Sequence, residues 1–193
     1  MKSVCVFCGA NPGKNPAYLE AARSLGITLA HSGLGLVYGG AKVGLMGAVA
    51  DAVLEHGGEV FGVIPDFIAG REIAHLGVTQ LAVVSSMHER KAKMAEHADA
   101  FVALPGGFGT LDELFEILTW SQLGLHRKPV AVLNVAGYFD GLLAFLDRAE
   151  EEQILRPEYR AMLLVESDPV RLVERFRTHS PPAVETWLRP GQT

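Results

Sequence analysis

The chain has 193 residues and a formal net charge of −5, and apolar residues make up 49% of it. This length suits one domain that buries a full core without disulfides. The negative charge disfavours nucleic-acid binding, which needs a dense positive surface, and the sequence has no apolar run long enough to span a membrane. We therefore expect a cytoplasmic protein with neither a nucleic-acid nor a membrane partner. The high apolar fraction indicates that some surface is buried between subunits.

Short β-rich runs alternate with helical patterns along the chain. Several of the runs are almost continuously apolar, which is typical of strands covered on both faces. The alternation predicts an α/β domain, residues 1–179, with a mostly parallel sheet between two helical layers. Residues 180–193 contain three prolines and a glycine, and we expect an irregular tail there. The predicted strands are 4–8, 34–38, 59–64, 78–84, 100–104, 130–134 and 162–165, and the predicted helices are 17–31, 45–56, 87–97, 111–123, 139–153 and 170–177.

Both cysteines, Cys5 and Cys8, belong to a C-x-x-C sequence in the first predicted strand. A thioredoxin-type motif would open a helix, and a zinc site would need two further ligands at matching spacing. Since neither condition is met, we interpret both residues as buried thiols and expect no metal site.

Two glycine-rich loops directly follow predicted strands and precede predicted helices. Residues 39–47 read GGAKVGLMG, and residues 105–113 read PGGFGTLDE. In such an arrangement, backbone N–H groups and a helix N-terminus can receive a phosphate, and ligands of parallel sheets bind beyond the carboxyl ends of the strands. Neither loop matches the P-loop or the dinucleotide fingerprint, which disfavours a nicotinamide-dependent oxidoreductase. The alternative is that one of the loops only turns the chain.

The helix predicted at 87–97 carries cations on an otherwise apolar stripe. At about 100° per residue, Met87, Arg90, Lys91 and Met94 share one arc of this helix. A cation there must reach solvent, form an internal ion pair or meet an anionic ligand, because desolvating it alone is costly. A bound phosphate is the functional alternative among these three.

Thr110 and Glu113 also allow two interpretations. With Leu111 and Asp112 they form the pattern of a capping box, in which the threonine caps the helix and the glutamate reaches back to the backbone. Alternatively, Glu113 is a catalytic carboxylate, kept ionised by the helix dipole, that activates water and stabilises a cationic sugar.

The chain resembles the LOG (Lonely Guy) family of cytokinin riboside 5′-monophosphate phosphoribohydrolases over about residues 3–165. The pattern P-G-G-x-G-T-x-x-E is highly specific to this family. An older label of lysine decarboxylase is not supported, because nothing in the sequence singles out a Schiff-base lysine for pyridoxal chemistry. The segments that carry the resemblance are VFCG at 6–9, YGG at 38–40, GLMG at 44–47, MHERK at 87–91, PGGFGTLDE at 105–113, TWSQLG at 119–124 and 128–134.

The resemblance implies a Rossmann-like homodimer that needs no metal or coenzyme and releases the free base from a nucleoside 5′-monophosphate. The implied substrate is an N6-modified AMP, with plain AMP as a second candidate. The catalytic pair of the family falls on Arg90 and Glu113. The resemblance, the two glycine loops and the cationic helix together give one set of candidate binding residues. These are Gly39, Gly40, Glu72, Met87, Arg90, Lys91, Gly106, Gly107, Phe108, Gly109, Thr110, Leu111, Asp112 and Glu113.

In the resulting hypothesis, the loop at 106–110 holds the 5′-phosphate, while Arg90 and Lys91 neutralise charge nearby. Glu113 then stabilises the ribose cation and guides water to its anomeric carbon, in a reaction similar to glycoside hydrolysis. Residues 71–77 differ from the plant pattern of the family and are expected to shape the base pocket. The alternative function is a nucleotide-binding or carrier protein on the same scaffold without turnover.

Overall fold

A computed structural model of the chain describes residues 1–69 and 73–182. Within these ranges, seven strands alternate with helices, and a 3₁₀ turn lies at Val135–Gly137. The strands are β1 (Ser3–Phe7), β2 (Gly35–Tyr38), β3 (Val60–Pro65), β4 (Gln80–Val84), β5 (Ala100–Ala103), β6 (Val130–Leu133) and β7 (Leu163–Glu166). The helices are α1 (Pro16–His31), α2 (Gly44–Glu55), α3 (Asp66–Ile68), α4 (Met87–His97), α5 (Phe108–Gln122), α6 (Asp140–Glu151), α7 (Pro157–Arg160) and α8 (Pro169–Arg177).

The seven strands form one sheet in the order β4-β3-β2-β1-β5-β6-β7. All six neighbouring pairs are parallel, which confirms the predicted α/β fold. The chain adds strands outward on one side from β1 to β4 and then returns to the other side of β1 for β5. The order therefore reverses between β1 and β5, and such a switch point opens a crevice at the carboxyl ends of the strands.

Side chains from the two faces of the sheet form two separate cores. Along β1, Val4 and Val6 pack on the face covered by α1, α2 and α8, whereas Cys5 and Phe7 pack on the face covered by α4, α5 and α6. This alternation follows from the two-residue period of a strand. Burial on both faces explains why the strands read as continuous apolar runs.

The largest boundary error of the sequence prediction concerns α5, which begins at Phe108 rather than at residue 111. The helix begins before its first core-facing apolar residue, because Phe108 is 95% exposed and does not face the core. The short helices α3 and α7 and the 3₁₀ turn were not predicted. Residues 180–182 form neither helix nor strand, and residues 183–193 of the predicted tail lie outside the described residues. The predicted domain limit at residue 179 stays a prediction.

Both cysteines are buried and free, as predicted for plain thiols. Burial raises the pKa of the Cys5 and Cys8 thiols well above the ordinary value, so both stay protonated at neutral pH. Among the helices that the structure describes, none has the length and apolar character required to cross a membrane.

Helix α1 approaches α2 closely at Gly26. A Cβ atom on Gly26 would lie 2.6 Å from the carbonyl oxygen of Val49 and 2.8 Å from the Cβ of Ala52. The first of these neighbours is backbone and cannot rotate away. Glycine at this position therefore sets the distance between the two helices.

We expect Gly26→Val to lower the free energy of unfolding by about 2–3 kcal/mol, because overpacking forces the helices apart. Gly141→Val is the matched control in α6, since a Cβ there would meet nothing within 4 Å among the described residues; it should change stability by less than about 0.5 kcal/mol. Urea unfolding measures both variants, and an equal loss in the two would contradict the packing argument.

Candidate active site

A pocket of about 470 Å³ opens at the carboxyl edge of the sheet, beside the switch point between β1 and β5. The loops that follow four of the strands contribute to its wall. They supply residues 8–13 after β1, Gly39 after β2, residues 105–107 after β5 and Tyr138 after β6. The two candidate loops therefore meet at one site, as the strand order requires.

The wall of the pocket includes the N-terminus of α5. Gly107 is the N-cap of this helix and offers no side-chain cap. The N–H groups of the first helical turn have no partner within the helix. Gly107 and Gly109 both line the pocket, and a Cβ on either would meet nothing within 4 Å among the described residues. This end of α5 can therefore receive an anion directly on its backbone.

The predicted capping box at residues 110–113 was wrong. Because α5 begins at Phe108, Thr110 is its third residue and Glu113 its sixth, so neither lies where a cap must lie. Thr110 is buried and lines the pocket. The side chain of Glu113 is thus available for another contact.

That contact is a buried ion pair with Arg90. The Nη1 atom of Arg90 lies 3.0 Å from Oε1 of Glu113, and the two side chains are only 12% and 8% exposed. Arg90 also donates from Nε to the carbonyl oxygen of Val63, at 3.2 Å, and from Nη2 to that of Gly39, at 3.4 Å. The guanidinium group is therefore held by one carboxylate and two backbone carbonyl groups, and Arg90 and Glu113 both line the pocket.

The start of α4 positions Arg90. Oγ of Ser86 accepts a hydrogen bond from the N–H of Glu89, at 3.1 Å. The carboxylate of Glu89 in turn accepts from N–H and Oγ of Ser85, both at 2.8 Å. This reciprocal arrangement is the local signal that begins the helix one turn before Arg90.

The first glycine loop makes room for the arginine, and a role of Gly39 and Gly40 in substrate binding stays a prediction. A Cβ on Gly39 would lie 2.0 Å from Nη2 of Arg90. Gly40 does not line the pocket, and its carbonyl oxygen accepts from the N–H of His75 at 2.9 Å. At the start of α2, the N–H of Leu45 donates to the carbonyl oxygen of Gly9 at 3.0 Å. The anion-binding geometry is therefore found at the second loop.

Burial determines the ionisation of Glu113. Removal from water raises the pKa of its carboxyl to about 7, although the Arg90 guanidinium acts in the opposite direction. Desolvation outweighs the favourable charges nearby, so the carboxyl is only partly ionised at neutral pH, and the expected effect of the helix dipole does not dominate. At neutral pH this carboxyl can both take up and release a proton.

Lys91 lies beside the pocket but points to a different set of partners. Its Nζ atom is 3.1 Å from Oδ2 of Asp112 and 2.9 Å from Oε1 of Glu116. Burial by itself lowers the pKa of Lys91, but the two carboxylates outweigh it and the net shift is upward. Of the alternatives that the sequence left open, the structure shows the internal ion pair for Lys91. A role for Lys91 in phosphate binding stays a prediction.

The remaining candidate residues divide between the pocket and its surroundings. Gly106 lines the pocket together with the glycines and Thr110 described above. Glu72 lies outside the described residues. Met87, Phe108, Leu111 and Asp112 are not among the residues that line the pocket.

Two parts of the wall were not predicted from the sequence. Residues 8–13 were not predicted to bind a ligand, although the rule that ligands lie beyond strand ends also applies to β1. Tyr18 and Tyr138, whose rings meet edge to face at 5.4 Å, were not predicted at all. No local pattern points to them, because α1 and the turn after β6 approach each other only in the folded chain.

Comparisons with known proteins identify the family of the chain. Residues 46–176 match the family described as "Possible lysine decarboxylase". The chain is 48% identical over 180 residues to cytokinin riboside 5′-monophosphate phosphoribohydrolase LOG7 of Arabidopsis thaliana, covering 93% of this chain and 83% of that one. It is 46% identical over 180 residues to LOG1 of the same plant, with 93% and 84% covered.

Solved structures with the same fold are more distant. A molybdenum cofactor binding protein from Rippkaea orientalis superposes with a TM-score of 0.71 at 22% identity, covering 92% of this chain and 97% of that one. A Moco carrier protein from Chlamydomonas reinhardtii superposes with a TM-score of 0.68 at 22% identity, with 92% and 98% covered. At 22% identity these likenesses concern the fold alone, whereas LOG7 and LOG1 are 48% and 46% identical over 93% of this chain. The chain therefore belongs to the LOG family.

Proposed function

We propose that the chain hydrolyses the N-glycosidic bond of a nucleoside 5′-monophosphate, releasing the free base and ribose 5-phosphate. The observation that carries this proposal is the buried pair of Arg90 and Glu113 in the wall of a pocket that also contains an uncapped helix N-terminus. The pair supplies a carboxylate for the sugar, and the helix supplies donors for the phosphate. The names of the related LOG proteins support the same reaction.

The phosphate end of the substrate is assigned to residues 107–110. The N–H groups of the first turn of α5 have no partner within the helix, and these groups and the positive end of the helix dipole favour an anion there. The chain carries a net charge of −5, so long-range attraction does not help and the donors must act locally. Arg90, which is hydrogen-bonded to two carbonyl groups, contributes a fixed positive charge to the same pocket.

Glu113 is assigned to the reacting carbon. In the ionised state it orients a water molecule and stabilises the positive charge that develops on the ribose. The water oxygen bonds to the anomeric carbon as the C–N bond breaks, and the proton released by the water ends on the departing base. Arg90 stays charged throughout and acts by holding Glu113 and by electrostatics rather than as an acid.

The older decarboxylase description does not fit the pocket. Pyridoxal chemistry needs a lysine that forms a Schiff base. The described residues that line the pocket include no lysine, and the neighbouring Lys91 is engaged by Asp112 and Glu116. We therefore derive no step through that cofactor.

The finer properties follow from the same family relationship. We propose N6-modified AMP as the preferred substrate, with AMP nucleosidase activity as a second property. We also propose a homodimer that uses the α4 and α5 side of the molecule. Exposed apolar side chains there support this assignment, namely Met87, Phe108 and Phe115. A cytoplasmic location stays a prediction.

Incubation with 5′-monophosphates and with the matching nucleosides tests the function directly. We expect chromatography to show free base from AMP and from an N6-modified AMP, with kcat/KM at least about a hundredfold higher than for the dephosphorylated nucleosides, because the phosphate contacts are charge-assisted. A carrier protein would bind these nucleotides and release no base. Equal turnover of nucleotides and nucleosides would contradict the phosphate assignment.

Replacing the carboxyl group of Glu113 separates binding from chemistry. We expect Glu113→Gln to reduce kcat by about a thousandfold or more, the scale seen when a transition-state charge partner is lost, while calorimetry still detects AMP binding. The exposed Glu174 in α8 provides the matched control, and Glu174→Gln should retain full activity. Normal turnover by Glu113→Gln would show that this residue only holds Arg90.

The raised pKa of Glu113 predicts a pH dependence. Because the ionised form is active, we expect kcat/KM to rise with pH and to level off above about 7. The same shift destabilises the ionised native state, so wild-type stability relative to Glu113→Gln should be greatest below the ordinary carboxyl pKa and should fall as pH rises towards 7. Steady-state values of kcat/KM and urea unfolding across pH 4–8 measure the two effects. A rate that falls with rising pH through this range would contradict the assignment of the ionised carboxylate.

A further inference from the structure

We propose that Tyr138 is a positioning residue that orients the peptide between Gly106 and Gly107 for the phosphate end of the substrate. Its Oη atom donates a hydrogen bond to the carbonyl oxygen of Gly106, at 2.6 Å. Tyr138 lines the same pocket as both glycines. This inference rests on the proposed function, because it assigns the phosphate to this end of α5.

Because the peptide group is planar, the orientation of the Gly106 carbonyl determines that of the Gly107 N–H. In a trans peptide, the carbonyl group of Gly106 and the N–H group of Gly107 point in opposite directions. A hydrogen bond that fixes the carbonyl therefore also fixes the N–H. Glycine restricts its backbone dihedrals least of all residues, so a peptide between two glycines needs such an external constraint. The bond also polarises the peptide and makes its N–H a better donor.

The two glycines have opposite surroundings. A Cβ on Gly106 would lie 2.1 Å from Oγ1 of Thr110 and 2.9 Å from the backbone nitrogen of Gly9, so Gly106 is wedged against its neighbours. A Cβ on Gly107 would meet nothing within 4 Å, and no acceptor for its N–H is found in the described part of the chain. One side of the peptide is thus held by the protein, and the other side is open to the pocket.

The turn that presents Tyr138 is strained. Ala136 has φ 50° and ψ 34°, and Gly137 has φ 70°. The left-handed conformation is unfavourable for alanine, and such outliers concentrate at functional sites. Asn134 stabilises the turn, since its Oδ1 accepts from the N–H of Phe139 at 2.8 Å and its Nδ2 donates to Asp140 at 2.7 Å. The fold therefore maintains an unfavourable turn that brings Tyr138 to the loop.

The ring of Tyr138 is also held in place. It meets Tyr18 edge to face at a centroid distance of 5.4 Å and Phe139 at 5.1 Å. Removing only the hydroxyl group should leave these contacts unchanged. Tyr138→Phe is therefore the variant that tests the hydrogen bond alone.

We expect Tyr138→Phe to weaken the binding of ribose 5-phosphate about tenfold, in line with the loss of one well-placed hydrogen bond. KM for AMP should rise by a similar factor, while kcat changes less than about threefold, because Glu113 is untouched. The affinity for free adenine and the thermal midpoint should not change. Calorimetry with ribose 5-phosphate and with adenine measures binding, and steady-state assays separate KM from kcat.

Tyr159→Phe is the matched control, since it removes a hydroxyl group from α7, outside the residues that line the pocket; it should behave as wild type. Equal ribose 5-phosphate affinity in wild type and Tyr138→Phe would overturn the proposal. So would an equal loss of adenine affinity, which would indicate a general structural role. If the wild type releases no base, the proposed function fails, yet the ribose 5-phosphate titration still decides the role of Tyr138. Absence of any ribose 5-phosphate binding would overturn both assignments.

Discussion

The buried ion pair between Arg90 and Glu113 is the interaction on which the rest of the site depends. Taking two charges out of water costs several kcal/mol per ion, and their attraction recovers this only with good geometry and further hydrogen bonds. The carbonyl groups of Val63 and Gly39 supply those bonds. An apolar pair of similar volume would often be at least as stable. A catalytic role therefore explains the position of this pair in the wall of a pocket better than a contribution to the stability of the fold does.

The same pair explains why the two glycine loops differ in role. Gly39 lacks a side chain because the arginine occupies the space where a Cβ would lie. Gly107 lacks one although the protein leaves that space open, which is the condition for a ligand to approach the backbone. A glycine that accommodates a neighbouring side chain and a glycine that faces a ligand look the same in the sequence. Only their surroundings in the folded chain distinguish the two roles.

The fold by itself does not distinguish an enzyme from a carrier. Proteins described as molybdenum cofactor binding or carrier proteins share the architecture at about one fifth sequence identity, and one scaffold commonly hosts several functions. What argues for turnover here is the site. Glu113 has a pKa near neutrality and lies close to donors suited to a phosphate, and a purely binding protein would have no need to bury such a group.

The sequence by itself determined the layered α/β architecture, the convergence of two loops on one edge and the candidate pair of Arg90 and Glu113. These follow from hydrophobic periodicity, from the parallel order of strands and from a motif of high specificity. Only the tertiary structure decided that Glu113 pairs rather than caps, that Lys91 is bound by two carboxylates, and that Tyr138 contacts Gly106 across 32 positions of the chain. Local patterns cannot reveal these contacts, because desolvation and long-range hydrogen bonds arise only when distant segments pack together.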